Sequence, residues 1–128
     1  IPVSDTRRDA AWQAANPEDY GRFVEMAAAD PYAGEPGRAE GAHRQLEARA
    51  GHDTWDRLPT IACPVLIAAG KHDGIALPAT QEKMAAHIPG AQLYAFEGYG
   101  HVPLFTATQE FCDVLRHFVR TGEAAPPR

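Results

Sequence analysis

Two short loops hold the side chains best suited to chemistry in this chain. Asp73 lies in the segment GKHDGIALP, and His101 lies further along in the segment GYGHVP. A carboxylate beside an imidazole fixes the imidazole tautomer and stabilises the imidazolium that forms when the ring accepts a proton. If the two loops meet, Asp73 and His101 are therefore candidates for the acid and the base of a nucleophile–His–acid triad.

The segments around these loops indicate strands and helices of a parallel sheet. Residues 64–69 form a continuous apolar run closed by Gly70, which is typical of a strand buried on both faces. A helix is predicted from Pro78, a second strand over 92–97, and a last helix that ends at Gly122. The carboxyl ends of adjacent parallel strands meet at one edge of a sheet. We therefore expect Asp73 and His101 within hydrogen-bonding distance, roughly 2.6 to 3.2 Å.

The first half of the sequence is predicted to be helical. Helices are expected over 6–15, capped by Ser4 or Asp5, then from Pro17 to about residue 30, and over 38–50. Thr106 and Gln109 have the spacing of a capping box for the last helix. The predicted fold class is α/β, a helical segment followed by a βαβα unit of a parallel sheet. The expected divisions are a helical segment at 1–58, the βαβα part at 59–122 and a loose tail at 123–128.

The stretch 58–119 resembles the C-terminal end of α/β-hydrolase-fold enzymes. The resemblance depends on the order of an apolar strand, the Asp73 loop, a helix with I-P-G-A after it, a second strand and the G-Y-G-H loop. It implies that the chain is the C-terminal portion of an α/β-hydrolase fold, with Asp73 as the catalytic acid and His101 as the catalytic histidine. The helical first half resembles the cap that lies over the active site in that family.

The sequence departs from the family in lacking a nucleophile. It contains no G-x-S-x-G elbow, and its single serine, Ser4, precedes a predicted helix. Neither Cys63 nor Cys112 is placed on a strand-to-helix elbow. The resemblance thus implies that the nucleophile and the oxyanion-hole loop belong to an N-terminal half outside this chain, and that the chain alone is inactive.

The function implied by the resemblance is hydrolysis of an ester, a lactone or a similar bond in a small-molecule substrate. The alternative is a non-catalytic dimerisation or interaction module derived from the same fold. The partners expected for the chain are its N-terminal half or a second copy of itself. No cofactor is implied.

Trp55, Ile75 and Val102 are further candidates for contact with the substrate, although Trp55 before a core strand is also typical of simple packing. The neighbours His72 and Asp73 could suggest a metal site, as could the His–Asp pair at 52–53. Adjacent residues of an extended segment point in opposite directions, so no metal is predicted.

Composition excludes several other classes of function. The chain has 128 residues, 45% of them hydrophobic and 23% charged, with a formal net charge of -5, and such an acidic balance argues against binding to nucleic acid. No apolar run is long enough for a membrane span, and a cytoplasmic location is expected. The two cysteines are predicted to be buried, reduced thiols.

Overall fold

A computed structural model describes residues 4–124, apart from the side chain of residue 27. A 3₁₀ turn at Trp55–Thr60 separates the helical first half from the α/β second half. The helices are α1 (Ala10–Ala15), α2 (Pro17–Ala28), α3 (Arg38–Ala50), α4 (Pro78–His87), α5 (Pro103–Thr106) and α6 (Thr108–Thr121), and the strands are β1 (Leu66–Gly70) and β2 (Gln92–Phe96). None of the helices in this part of the chain combines the length and the hydrophobicity of a membrane span.

The two strands form a parallel sheet. β1 pairs with β2 in a register that places Leu66 opposite Gln92 and Gly70 opposite Phe96, with α4 as the crossover between them. A parallel pair needs such a crossover, because the chain must return to the end of the sheet at which β1 began before β2 can run in the same direction. The predicted α/β class is confirmed, and both strands end at the same edge.

An aromatic cluster forms the core between one face of the sheet and α6. Phe96 is fully buried at its centre, with its ring centroid 4.8 Å from that of Tyr94 and 6.1 Å from that of Phe111. Val114 of α6 is also buried against this cluster. The core therefore fixes the end of β2, from which the His101 loop leaves.

The helical first half has little of its surface covered within the described chain. α3 has the predicted bounds, 38–50, yet every one of its residues is exposed, including Leu46 at 61%. α1 begins at Ala10, four residues later than predicted, because Asp9 is its N-cap and accepts a hydrogen bond from the Trp12 amide at 2.9 Å. The prediction that Ser4 or Asp5 caps this helix is wrong.

Two more local predictions need correction. Thr106 and Gln109 form no capping box, because Pro103 begins the short α5 and Thr106 already lies within it, whereas an N-cap requires non-helical backbone. Cys63 is exposed and Cys112 half-buried, so the expectation that both are buried is wrong, although both are free thiols. Of the predicted tail, residues 125–128 lie outside the described residues.

Candidate active site

Asp73 and His101 meet at the carboxyl edge of the sheet. Asp73 lies three residues beyond β1, His101 lies five beyond β2, and Asp73 Oδ2 is 2.8 Å from His101 Nδ1. The predicted proximity is confirmed. The carboxylate is an acceptor, so the ring proton belongs on Nδ1, and this tautomer leaves Nε2 free to accept a proton. The Asp73 side chain is 3% exposed and the His101 side chain 34% exposed, so that the acid is buried while the base reaches the surface.

The Asp73 carboxylate is fixed by its own loop. Its Oδ1 accepts hydrogen bonds from the amides of Ile75 at 2.8 Å and Ala76 at 2.9 Å, and the Asp73 amide donates to the Gly70 carbonyl at 3.1 Å. An aspartate that bonds to the backbone two and three residues ahead is typical of a tight turn. Both oxygens are thus occupied, Oδ1 by the turn and Oδ2 by His101.

The residue that follows His101 has an unusual backbone conformation. Val102 has φ 62° and ψ 63°, in the left-handed region that β-branched residues rarely adopt. Such a conformation costs of order 1–3 kcal/mol and persists only where the surroundings impose it. Here it turns the chain from the His101 loop into α5, whose first residue, Pro103, is buried.

Gly70 allows the two loops to touch, and Gly100 allows residues 4–5 to approach the His101 loop. A Cβ atom on Gly70 would lie 1.9 Å from the Gly100 carbonyl oxygen, and one on Gly100 would lie 2.4 Å from the Ser4 carbonyl oxygen. No side chain fits at either position. The separation of Asp73 from His101 is therefore set by direct backbone contact, reinforced by the His72 amide, which donates to the Tyr99 carbonyl at 3.0 Å.

Sequence reasoning missed a third segment of the site, residues 4–7. The His101 amide donates to the Ser4 carbonyl at 2.5 Å, and the Thr6 amide donates to the His72 carbonyl at 2.9 Å. Asp5 is buried and forms an ion pair with Arg7 at 2.6 Å, whose hydrogen bonds lower the pKa of the Asp5 carboxyl from its usual value. The one signal in the sequence is the i, i+2 spacing of these opposite charges, which is too common to be specific.

The remaining predicted residues are distributed differently. Ile75 and Val102 flank the Asp73–His101 pair in sequence, and Ile75 is 54% exposed. The structure does not bring Trp55 to the pair. Its ring stacks on His87, the last residue of α4, with centroids 4.5 Å apart, whereas the Asp73 loop precedes the first residue of that helix. Exposed apolar side chains follow both loops, at Leu77, Leu104 and Phe105. Between residues 4 and 124, no three His, Cys, Asp or Glu side chains are grouped as metal ligands.

Comparison with known protein sequences gives one family and one group of relatives. A sequence model of the alpha/beta hydrolase fold matches residues 6–108. An uncharacterised protein of Mycobacterium tuberculosis is 42% identical over 67 residues, which cover 52% of this chain and 19% of that protein. An uncharacterised protein of Mycobacterium bovis matches with the same identity over the same number of residues. The aligned region thus spans about a fifth of the length of these curated relatives.

Similar solved structures include two esterases and a lactone-degrading enzyme. An esterase from Exiguobacterium antarcticum matches with a TM-score of 0.57 and 29% identity, covering 61% of this chain and 29% of that one. An esterase from Thermogutta terrifontis gives 0.56 and 30%, covering 60% and 28%. An N-acyl homoserine lactone degrading enzyme gives 0.51 and 26%, covering 86% of this chain and 51% of its own.

Proposed function

The chain belongs to the alpha/beta hydrolase fold family, and we propose that it carries the acid, Asp73, and the base, His101, of a hydrolase's catalytic triad. The observation that carries the proposal is the 2.8 Å hydrogen bond from a half-buried imidazole to a buried carboxylate at the carboxyl edge of the sheet. The similarity to two esterases and a lactone-degrading enzyme favours an ester, a lactone or a similar bond as the target.

The proposed mechanism assigns each side chain one task. A nucleophile from polypeptide outside this chain attacks the substrate carbonyl while His101 Nε2 accepts its proton, and the carboxylate of Asp73 stabilises the imidazolium. His101 then donates that proton to the leaving alcohol, which departs as the acyl-enzyme forms. In the second half of the reaction His101 takes a proton from the water that attacks the acyl-enzyme, and it returns that proton to the nucleophile as the bond to the acyl group breaks and the acid is released. The exposed Ile75 and the neighbouring Val102 are proposed to contact the substrate.

We extend the proposal to the helices that precede β1, which we assign as a cap over the active site. Their apolar side chains support this assignment, because Val24 of α2 is 45% exposed, Met26 69% and Leu46 of α3 61%. Apolar surface of this kind is typically covered by another part of a protein or by a ligand. In the proposed enzyme these helices would limit the size of the substrate.

The second candidate function is an interaction module that has the fold without the chemistry. The observation that favours it is β1, which pairs only with β2 among the strands of the described residues, so that its other edge can accept a strand. In the enzyme, that edge is proposed to pair with the N-terminal half of the hydrolase fold, and in the interaction module with a second copy of this chain. The test below separates the two functions.

The test requires a polypeptide that extends upstream of Ile1 and contains a G-x-S-x-G elbow. We expect it to hydrolyse p-nitrophenyl acetate, and we expect His101→Ala to lower kcat by roughly 10⁴-fold or more. His72→Ala is the matched control, since His72 lies next to Asp73 and contributes only backbone atoms to the bonds described above; its kcat should remain close to that of the unchanged enzyme. Hydrolysis that survives His101→Ala would refute the triad, and no hydrolysis by any extended polypeptide would favour the interaction module.

A further inference from the structure

Residues 4–7, which we name the N-terminal strap, contact both loops of the site. The strap accepts a hydrogen bond from the His101 amide at the Ser4 carbonyl, 2.5 Å away. Two residues later, the Thr6 amide donates to the carbonyl of His72, the neighbour of Asp73, at 2.9 Å. One short stretch of backbone therefore joins the loop of the proposed base to the loop of the proposed acid.

The strap packs against the His101 loop at a position that only glycine can occupy. A Cβ atom on Gly100 would lie 2.4 Å from the Ser4 carbonyl oxygen, 2.8 Å from Asp5 Cβ and 2.9 Å from Asp5 Cα. These distances are shorter than real Cβ contacts. The residue immediately before His101 is thus packed closely against the strap, and we expect a displacement of the strap to disturb it.

The Asp5–Arg7 pair links two residues within the strap. Asp5 is 6% exposed, and its carboxylate accepts bonds from the Arg7 amide at 3.1 Å, Arg7 Nε at 2.9 Å and an Arg7 terminal guanidinium nitrogen at 2.6 Å. A buried carboxylate without a partner is costly, and removal of one member of such a pair leaves that cost uncompensated. Without Arg7, the carboxylate is expected to turn towards water and to carry the strap away from Gly100.

We propose that Asp5 and Arg7 are positioning residues, which hold the strap on the two loops and so maintain the hydrogen bond between Asp73 and His101. The catalytic meaning of this inference rests on the proposed function, whereas its structural content does not. Arg7 reaches the surface, with its side chain 45% exposed, and it is bonded to Asp5, the neighbour of the residue whose carbonyl accepts from His101. The strap acts through His101 and does not touch the substrate in this proposal.

The experiment observes the Asp73–His101 hydrogen bond itself. In the 128-residue chain labelled with ¹⁵N-histidine, the His101 Nδ1 proton should give a low-field NMR signal, identified by its loss in Asp73→Asn and in His101→Gln. We expect Arg7→Gln to abolish the signal or shift it upfield. Arg8→Gln is the matched control, because Arg8 lies over the Phe23 ring at 4.1 Å, and we expect it to leave the signal unchanged.

The outcomes separate the strap from the triad. A signal unchanged in Arg7→Gln overturns the proposal, and so does an equal loss in Arg8→Gln. If circular dichroism shows that Arg7→Gln does not fold, Arg7→Lys replaces it as the test. Arg7→Lys keeps the charge but loses the two-pronged contact, so we expect it to shift the signal. An unchanged signal in Arg7→Lys also overturns the proposal. In the extended enzyme, Arg7→Gln should lower kcat more than it changes KM. An altered signal without hydrolysis by the extended enzyme supports the strap and refutes the triad.

Discussion

Replacement of Asp73 by asparagine isolates the hydrogen bond at the centre of the site. The amide oxygen of asparagine can still accept from the amides of Ile75 and Ala76, so the turn keeps both of its bonds. The amide nitrogen, however, presents a donor to His101 Nδ1 where a carboxylate stood. The change therefore removes one charge-assisted hydrogen bond and little else.

The size of the effect follows from burial. A hydrogen bond to a charged group contributes about 1.5–3 kcal/mol to the free energy of unfolding. Because the His101 side chain is 34% exposed, water competes for it, and we expect a loss near the lower end, about 1.5 kcal/mol. Asp73→Ala also leaves the amides of Ile75 and Ala76 without an acceptor, and should cost roughly 2 kcal/mol more.

Urea unfolding followed by far-UV circular dichroism, at one protein concentration and at neutral pH, measures these free energies. Exposed Asp56→Asn serves as the control and should stay within about 0.5 kcal/mol of the unchanged chain. In a chain that already carries His101→Ala, the cost of Asp73→Asn should fall well below its value in the unchanged chain, because the lost partner is already gone. Equal costs in the two backgrounds would refute the coupling of Asp73 to His101.

Three further results are expected. Phe96→Ala should lower the free energy of unfolding by about 3–5 kcal/mol in urea, because the ring is fully buried in the aromatic cluster, and a loss below about 1 kcal/mol would mean that the cluster is not the core. Gly70→Ala should destabilise the chain more than Gly98→Ala, whose added Cβ meets nothing within 4 Å, and similar midpoints would contradict the backbone contact with Gly100. Since Arg7 lowers the pKa of Asp5, their contribution to stability should be present above the unfolded value of about 3.8 and lost as the pH falls through the lower folded pKa. Asp5→Asn should therefore make the melting temperature less sensitive to acid over this pH range. An unchanged dependence of the melting temperature on pH would exclude a contribution of the Asp5–Arg7 pair to stability.

The sequence was sufficient to predict those parts of the fold that depend on local pattern. The bounds of α3 agree with the prediction because glycines flank that helix, and β1 agrees to within two residues because a continuous apolar run closed by Gly70 has few other structures available. The meeting of Asp73 with His101 also followed, since parallel strands that are adjacent must end at one edge. In each case neighbouring residues, or a general rule of sheet topology, decide the outcome.

The features that the sequence did not predict lie where a distant part of the chain decides local structure. Asp5 has the side chain of a helix cap, but the strap that contains it bonds to His72 and His101, which are 66 and 97 positions from their partners Thr6 and Ser4. The helix begins only after the strap, at Ala10. Val102 belongs to a residue type that avoids left-handed backbone, so its conformation could not be read from its identity. The stacking of Trp55 on His87 likewise depends on the docking of α4, which no local pattern near Trp55 specifies.

The contact of Gly70 with Gly100 has a consequence for how such a site can diversify. The distance between the acid and the base is set by main-chain atoms, whereas the exposed residues that flank them, Ile75, Leu104 and Phe105, take no part in that contact through their side chains. Substitutions at these three positions can reshape the surface around the pair without altering how the carboxylate meets the imidazole. In the proposed hydrolase, substrate specificity can therefore change during evolution while the geometry of proton transfer stays the same.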